Sequence, residues 1–523
     1  MTANHGEDFG EVLCTLTASR LGADESTSLG LNRRPAVPRE QRCNESEQPV
    51  SAERSSNSVR AARLQRWTIG LCGLLVILVG CGDDLPPPLS AEALLDPASC
   101  QPCHPQHYAE WAGSMHAYAA EDPVFLAMNA RAQRDTDGAL GTFCVQCHAP
   151  LAVELGLTTD GTNLDEVPRH LKGVTCAFCH QVSAIEGAHN NQLRRATDGV
   201  MRGGIKSPQP TSAHASAYSA LMDRDDLRSS AMCGSCHDVV LPNGFHLERT
   251  YAEWQATVFN SDDPLQRNTC NDCHLPGRPA AIAEGGPVRR HHDHSMPGVD
   301  VALTPFFDVD GQRQQVLREL STLLVAELCV IPRAGGAEVE VYLENIAAGH
   351  LAPSGAAHDR RMWVELVAYA GDEVVYSSGV VDDETPVLEV EDDDLWRLGD
   401  RGFDADGQET HIFWEVAQVE STALPASTPL LPGSPGFVNP HVGKRYVVVG
   451  ETPDRITMRV RIRPIGLDIL EDLVASGDLA ASIMAAMPTF DLAATVLTWT
   501  ADTARPTRTP LAGREALCVP FNL

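Results

Sequence analysis

The sequence predicts a multidomain protein in which an α-rich, loop-rich domain precedes a mainly β, sandwich-like domain. Two observations support this prediction. Residues 100–300 are dense in Cys, His and Gly, with five C-x-x-C-H motifs and short helical patterns between them. From residue 301 onward, short runs rich in Val, Tyr and Trp alternate with clusters of Gly, Pro and Asp, which is typical of strands joined by turns.

The composition is that of an acidic globular protein. The chain has 523 residues, long enough for two or three domains, and 43% of them are hydrophobic. The formal net charge is -30, and the nine Arg of residues 1–80 balance their nine Asp and Glu, so all of the excess acid lies downstream. Such a surface repels nucleic acid and anionic headgroups. We therefore expect protein partners with basic docking faces, and no nucleic acid.

The first 80 residues divide into a polar segment and an apolar one. Residues 1–58 lack apolar periodicity, which predicts a disordered leader or a mis-assigned start. In residues 59–80, three Arg precede an apolar stretch that is too short for a membrane span of roughly 20 residues. This arrangement predicts an export signal, with Val59 as a possible alternative start.

A cysteine closes the apolar stretch. The ending Leu78-Val79-Gly80-Cys81 resembles a bacterial lipobox, in which the cysteine is lipidated and becomes the mature N-terminus. A plain signal peptide and an uncleaved anchor are the alternatives. We expect an exported, membrane-anchored lipoprotein facing the periplasm or the cell surface, with residues 81–99 as a tether.

Ten of the sixteen cysteines form five C-x-x-C pairs, each followed by histidine. The five motifs are Cys100, Cys103 and His104; Cys144, Cys147 and His148; Cys176, Cys179 and His180; Cys233, Cys236 and His237; Cys270, Cys273 and His274. This pattern attaches haem c, because two thiols bind the porphyrin and the adjacent histidine binds the iron. Zinc sites pair their C-x-x-C knuckles, so five would leave one over, and redox dithiols need no histidine.

Residues 100–300 therefore predict a pentahaem cytochrome c domain. It offers only about 40 residues per haem, whereas a separate domain needs 50 or more. The haems must pack on one another, which allows electrons to pass between them. Tyr108-Ala109-Glu110-Trp111 recurs at residues 251–254, a short echo that suggests duplication of a haem-bearing unit.

Electron-transfer haems commonly have a second, distal protein ligand on the iron. The expected distal histidines are His116, His214, His294 and His350. A helix from His104 would carry His116 too far along its axis to serve the same iron, so His116 must reach a neighbouring haem. His294 belongs to a three-histidine cluster that could instead be a surface patch, and His350 lies in a Gly- and Pro-framed loop that could be a structural turn.

The remaining histidines are less distinctive. We expect His107 to be a surface residue, and we expect His214, which precedes Cys233, to lie in a helix. Four distal candidates leave one iron unassigned, and it either has an open face or takes another ligand. The other ligand candidates are His170, His189, His291, His292 and Met115.

Residues 301–523 predict the β domain with an inserted helix at 467–475. The expected strands are residues 338–343, 362–370, 373–376, 412–419 and 456–462. Cys329 and Cys518 lie at the two ends of this domain. In an oxidising compartment they could join its first and last strands, the alternative being two free buried thiols.

These motifs resemble the multihaem cytochrome superfamily that includes the tetrahaem cytochrome of nitrifying bacteria and hydroxylamine oxidoreductase. The likeness rests on residues 100–125, on residues 214–273 and on the Gly349 to Gly355 element with Arg361 to Val367. In that family the histidine of an S-x-H element, here His116, is a ligand to a different haem. The haem count departs from the tetrahaem and octahaem members, so neither ligand pairing nor activity transfers whole.

We therefore expect an electron-transfer protein with five haem c groups and redox protein partners, anchored to the membrane through Cys81. One alternative is an oxidoreductase acting on a small nitrogen or oxygen species at one open-faced haem. Another is an assembly subunit whose β domain docks a partner. The sequence leaves enzyme activity undecided and favours an electron carrier.

Overall fold

The computed structural model describes residues 88–427, 442–509, 511 and 513–519. The predicted leader 1–58, the signal segment 59–80 and Cys81 lie outside the described residues. All of the described residues belong to one compact unit, Gly82–Leu523. Residues 91–95, within the predicted tether, form a helix that buries Leu94.

The prediction of an α-rich first domain is wrong. Helices make up 26% of the structure and strands 27%. The motif helices are single turns, such as Val145–His148 and Cys176–His180, because each extends only over the motif itself. Eight short strands between residues 182 and 292 also pair into two-stranded sheets.

Helices are short except at three places. Their bounds are α1 Ala91–Leu95, α2 Pro105–Ala112, α3 Met115–Tyr118, α4 Pro123–Asp135, α5 Val145–His148, α6 Pro150–Glu154, α7 Cys176–His180, α8 Arg228–Gly234, α9 Thr250–Gln255, α10 Cys270–His274, α11 Val309–Leu323, α12 Leu467–Ala475 and α13 Ala481–Met484. The longer ones, α4, α11 and α12, each present a buried apolar stripe.

Strands up to residue 292 form small two-stranded sheets. Their bounds are β1 Val182–Ile185, β2 Leu193–Arg195, β3 Val200–Gly203, β4 Ala215–Tyr218, β5 Val239–Val240, β6 His246–Glu248, β7 Gly277–Ala281 and β8 Val288–His292. The sheet of β3 and β4 is parallel, and the others are antiparallel.

Strands after residue 323 form two larger antiparallel sheets and a small hairpin. Their bounds are β9 Leu324–Arg333, β10 Gly336–Asn345, β11 Arg361–Ala370, β12 Glu373–Ser378, β13 Trp396–Leu398, β14 Asp400–Phe403, β15 Gln418–Ser421, β16 Val442–Val449, β17 Arg455–Arg463, β18 Phe490–Asp491, β19 Leu497–Thr500, β20 Arg505–Arg508 and β21 Glu515–Val519.

The two larger sheets share one hydrophobic core. One sheet has the order β16-β10-β9-β21-β20, and the other has β12-β11-β17-β18, with β13 and β19 pairing at its ends. Val339 and Val341 of the first sheet belong to the same buried cluster as Val364, Leu366 and other residues of the second. This is the packing that alternating apolar residues on facing sheets produce.

Most of the predicted β-region elements are present. Strands β10, β11, β12 and β17 cover four of the five predicted runs, and α12 has the predicted bounds 467–475. The prediction for residues 412–419 is wrong, since they contain a 3₁₀ turn at Phe413–Glu415 before β15 begins. Helix α11 was not predicted, because its apolar residues are few and widely spaced.

The inserted helix α12 packs against the first half of the chain. Its Leu470 and Leu473 share a buried cluster with Val124 and Met128 of α4. Arg134 of α4 adds an ion pair to Asp478 at 2.7 Å. The β region thus supports α4, which follows the segment that carries His116.

The predicted disulfide is confirmed. Cys329 of β9 and Cys518 of β21 are bonded, with their Cα atoms 4.0 Å apart and both residues buried. They lie directly opposite each other on neighbouring antiparallel strands. The bond therefore joins the first and last strands that the sequence placed at the ends of this region.

Candidate functional site

Short helices and turns present the five C-x-x-C-H motifs. Thr175 caps α7 by accepting a hydrogen bond from the backbone N–H of Phe178, and Thr269 begins α10 with a capping box completed by Asp272. Such caps stabilise one-turn helices that would not persist alone. All ten motif cysteines are free thiols, as covalent haem attachment requires.

Cysteines of different motifs lie close together. The thiols of Cys100 and Cys176 are neighbours, as are those of Cys233 and Cys270 and those of Cys147 and Cys236. Cys179 also lies near Cys233 and Cys236. The motifs therefore converge on one region, in the spatial order first, third, fourth and fifth, with the second beside the fourth.

Four motif histidines are oriented by backbone carbonyls. The Nδ1 atom lies 2.6 Å from the Ile282 oxygen in His104, 3.0 Å from the Ala119 oxygen in His148, 2.6 Å from the Arg202 oxygen in His180 and 2.7 Å from the Pro297 oxygen in His274. A carbonyl only accepts, so the proton is on Nδ1 and the lone pair is on Nε2. That is the tautomer in which Nε2 binds a metal.

Three motif histidines face a predicted distal histidine. Ring centroids are 6.4 Å apart in the pair His104 and His214, 6.1 Å in His237 and His116, and 6.2 Å in His180 and His294. Two imidazoles that each bind one metal through a nitrogen at about 2 Å have their ring centres roughly 6 Å apart. These residues therefore fit an iron held between two histidines.

His350 lies near a fourth motif histidine. It lies within electrostatic reach of His274, Arg360 and His237. The Nδ1 of His350 lies 2.7 Å from the Leu351 oxygen, which leaves Nε2 free as in the motif histidines. His350 is therefore buried in the same region as the motif histidines His274 and His237.

Burial keeps several distal candidates neutral. It lowers the pKa of His116 to about 3 and the pKa values of His294 and His350 to about 4, because removal from water penalises the charged ring; neighbouring histidines lower all three further. Neutral imidazole is the form that binds a metal, so these rings are ready to do so near pH 7.

His148 differs from the other motif histidines. The ring stacked on it belongs to Phe125, with centroids 3.9 Å apart and planes 2° from parallel. Within the described residues, no histidine ring is paired with His148 as those of His104, His180 and His237 are. Phe125 follows Asp122, which caps the start of α4, so that helix holds the aromatic ring against the histidine.

The expectation that His107 is a surface residue is wrong. Its ring stacks on that of His291 at 4.0 Å and lies 4.8 Å from that of His294, because α2 packs against the strand β8. His291 is fully buried and directs Nε2 to Glu110 at 2.9 Å, so this nitrogen is engaged. The three-histidine cluster is therefore interior rather than a solvent-exposed patch.

The other alternative ligands are scattered. His170 is exposed, His189 contacts Gln192, and Met115 lines a small cavity beside Asp122. His292 directs Nδ1 to the Leu275 oxygen at 3.1 Å. The expected helix at His214 is wrong, since His214 directly precedes strand β4, which pairs in parallel with β3, and the helix that includes Cys233 begins only at Arg228.

Sequence reasoning missed Phe125, Glu110 and Glu253 as parts of the site. Glu110 accepts hydrogen bonds from His291 and His294, and Glu253 accepts them in the loop after His350. The repeated Tyr-Ala-Glu-Trp sequence was the available signal for both glutamates. No sequence pattern distinguishes Phe125, because its role depends on the packing of α4.

Residues 99–181, which include the first three motifs, match the sequence model of a family described as Cytochrome c554 and c-prime. The chain also superposes on the crystal structure of a penta-heme cytochrome c552 from Thermochromatium tepidum. The TM-score is 0.55 and the identity 19%, over 79% of this chain and 98% of that chain. The chain has the fold of a multihaem c-type cytochrome.

The family match and the fold together support the prediction of a multihaem c-type cytochrome, which implies covalently bound haem c. No curated protein matches the chain significantly. Within the described part of the chain, no helix combines the length and the apolar character needed to cross a bilayer.

Proposed function

We propose that the protein is an exported electron-transfer cytochrome that carries five haem c groups and is anchored by lipid at Cys81. The pairing of three motif histidines with distal histidines at ring separations of 6.1–6.4 Å is the observation that carries this proposal. Two histidines on one iron keep its coordination the same in both oxidation states, which favours electron transfer over substrate binding.

The residues that hold the haems follow from the motifs and the pairs. Each C-x-x-C pair binds one porphyrin through thioethers, and each motif histidine binds the iron from one face. We assign His214 opposite His104, His294 opposite His180, His116 opposite His237 and His350 opposite His274. When bound, haem supplies a one-electron redox centre, and the protein's part is to hold its ligands and exclude water.

Contacts between cysteines support a continuous electron path. Cys100 of the first motif is a neighbour of Cys176 of the third, and Cys233 of the fourth is a neighbour of Cys270 of the fifth. Cys179 lies near Cys233 and so links the two halves. We infer the haem order 1-3-4-5, with haem 2 branching from haem 4, since Cys147 and Cys236 are neighbours.

The acidic surface and the predicted export signal indicate the redox partners and the cellular location. A net charge of -30 favours basic docking faces on redox partners and disfavours nucleic acid. Thioether attachment of haem takes place outside the cytoplasm, in agreement with the signal in residues 59–80. We therefore place the protein on the membrane surface in the periplasm or at the cell surface.

Haem counting and spin-state measurement test this function together. The purified full-length protein should contain five haems per chain by pyridine haemochromogen assay and protein determination. Electron paramagnetic resonance of the oxidised protein should show at least four low-spin irons. Fewer than four haems, or several high-spin irons, would contradict an electron wire.

A second candidate function rests on His148. Within the described residues the ring stacked on His148 is that of Phe125, and none of the four assigned distal histidines serves His148, so the haem of the second motif is the one left for an open iron. An open iron could bind a small nitrogen or oxygen species, as catalytic metals keep a free position. Titration with cyanide or nitric oxide should then give one bound ligand per chain, whereas no binding would leave electron transfer as the sole function.

A further inference from the structure

Two short helices, α2 and α9, share a four-residue sequence and make matching contacts. The indole nitrogen of Trp111 in α2 donates to the Val174 carbonyl at 2.8 Å. That of Trp254 in α9 donates to the Asn268 carbonyl at 2.9 Å. Val174 and Asn268 each lie two residues before the first cysteine of a motif. Both tryptophans therefore anchor the segment that leads into a C-x-x-C-H motif.

The glutamate beside each tryptophan holds a different segment, one that carries a distal histidine. Glu110 accepts a hydrogen bond from the backbone N–H of His294 at 3.1 Å. Glu253 accepts one from the backbone N–H of Leu351, the residue after His350, also at 3.1 Å. A carboxylate that accepts backbone N–H groups makes stronger hydrogen bonds than a neutral acceptor does.

A second donor completes each carboxylate. His291 Nε2 lies 2.9 Å from Glu110, and the Ser354 hydroxyl donates to Glu253 at 2.6 Å. In both cases one carboxylate oxygen, Oε2, accepts the backbone N–H as well as the second donor. Each glutamate thus links two groups within the segment that carries a distal histidine, which holds that segment in one conformation.

Each of these helices therefore contacts both the segment of a motif histidine and the segment of its distal histidine. Trp111 anchors the approach to the motif of His180, and Glu110 anchors His294, whose ring faces His180 at 6.2 Å. By the same arrangement, Trp254 anchors the approach to the motif of His274, and Glu253 anchors the loop of His350. This repetition of contacts also supports the assignment of His350 to the iron of His274.

We propose that Glu110 and Glu253 are equivalent positioning residues that hold the distal histidines His294 and His350 on the irons of the third and fifth motifs. The proposal rests on the proposed haem ligation. Hydrogen bonds behind a metal ligand fix its orientation, and their loss typically weakens metal binding about 10- to 100-fold. Without the glutamate the loop is free to move, so its histidine should leave the iron in part of the population.

The spin state of the iron is the readout, measured on the full-length protein with haem bound. Glu253→Ala should convert up to one haem equivalent from low spin to high spin and allow cyanide to bind there. Glu110→Ala should do the same at a different iron, and the double variant should affect two. His350→Ala and His294→Ala provide the reference spectra for complete loss of each ligand.

Conservative variants separate positioning from folding. Glu253→Gln retains an oxygen that can accept both hydrogen bonds, so it should keep the low-spin spectrum, and Glu253→Asp, with its shorter reach, should give an intermediate one. Glu186→Ala is the matched control, since that exposed glutamate pairs only with Arg194 at the surface. If an alanine variant does not fold and accumulate, the spin state of the corresponding aspartate variant tests the positioning role instead, because aspartate keeps the carboxylate charge.

The outcomes distinguish this proposal from the proposed function. Unchanged low-spin irons and midpoint potentials in the alanine and aspartate variants would overturn the positioning role, as would an equal loss in the glutamine variant. If His350→Ala and His294→Ala also leave every iron low-spin, the ligand assignment itself is wrong.

Discussion

The imidazole rings of His116 and His237 lie 6.1 Å apart and at 79° to each other, although the two residues belong to segments far apart in sequence. Ser114 caps the short helix that carries His116, and α4 follows it and packs on the inserted helix of the β region. The position of this distal histidine therefore depends on elements from both halves of the chain.

Substitution of His116 should open the iron of the fourth motif. We expect His116→Ala to convert one haem equivalent from low spin to high spin, because no second imidazole then faces His237. Electron paramagnetic resonance and cyanide titration measure the change. His170→Ala, at an exposed histidine, is the control and should leave the spectrum unchanged. A fully low-spin His116→Ala protein would disprove the pairing.

Lipidation at Cys81 predicts a change in mass and in location. The mature wild-type protein should begin at Cys81 and carry acyl mass by intact-mass spectrometry. Cys81→Ser should lose that mass and move from the membrane fraction to the soluble fraction, while its haem content stays the same. A wild-type N-terminus elsewhere, without acyl mass, would rule out the lipid anchor.

Removal of the disulfide should lower the stability of the β region. The bond between Cys329 and Cys518 closes a loop with a sequence separation of 189, so its loss should cost about 2 to 5 kcal/mol of unfolding free energy. Urea titration of Cys329→Ala/Cys518→Ala, followed by far-ultraviolet circular dichroism, measures this. The oxidised haem spectrum in the absence of urea should be unchanged, and an unaltered urea midpoint would contradict the prediction.

Asp359 should make stability depend on pH. Burial raises its pKa to about 8 from 3.8, Glu248 adds to the rise, and Arg361 opposes it. The neighbouring His358 Nε2 is 3.6 Å away, too far for a hydrogen bond, and burial lowers the pKa of His358 to about 3. Asp359 is therefore largely protonated at pH 7.

Ionisation of Asp359 should destabilise the folded state. Between pH 4 and pH 8 the folded state holds the Asp359 proton more tightly than the unfolded chain, so this group's contribution to stability falls as the pH rises. Asp359→Asn removes this pH-dependent loss of stability. The unfolding free energy of the variant minus that of the wild type should therefore increase by on the order of 4 kcal/mol from pH 4 to pH 9. Urea midpoints at several pH values measure it, with the exposed Asp502→Asn as control. A difference that is constant with pH would show that Asp359 ionises normally.

The β region could largely be predicted because its signals are local. Strand β11 alternates between the shared core and its other face, and α12 has a continuous apolar stripe, so both could be located from short windows of sequence. The strand predicted at 412–419 failed, because its apolar residues pack in a turn against β5 and β6 rather than in a sheet. The α-rich prediction failed because a motif needs only one helical turn.

The sequence by itself determined the haem-attachment motifs, the acidic character and the ends joined by the disulfide. Covalent attachment requires two cysteines and a histidine at close, constant spacing, so residues such as Cys176, Cys179 and His180 are recognisable without a fold. Only the tertiary structure decided that His116 faces His237, that Phe125 covers His148 and that Glu253 holds the loop of His350. Metal ligation and hydrogen bonding act over a few ångströms between segments of any separation, and only the packing of the whole chain brings those segments together.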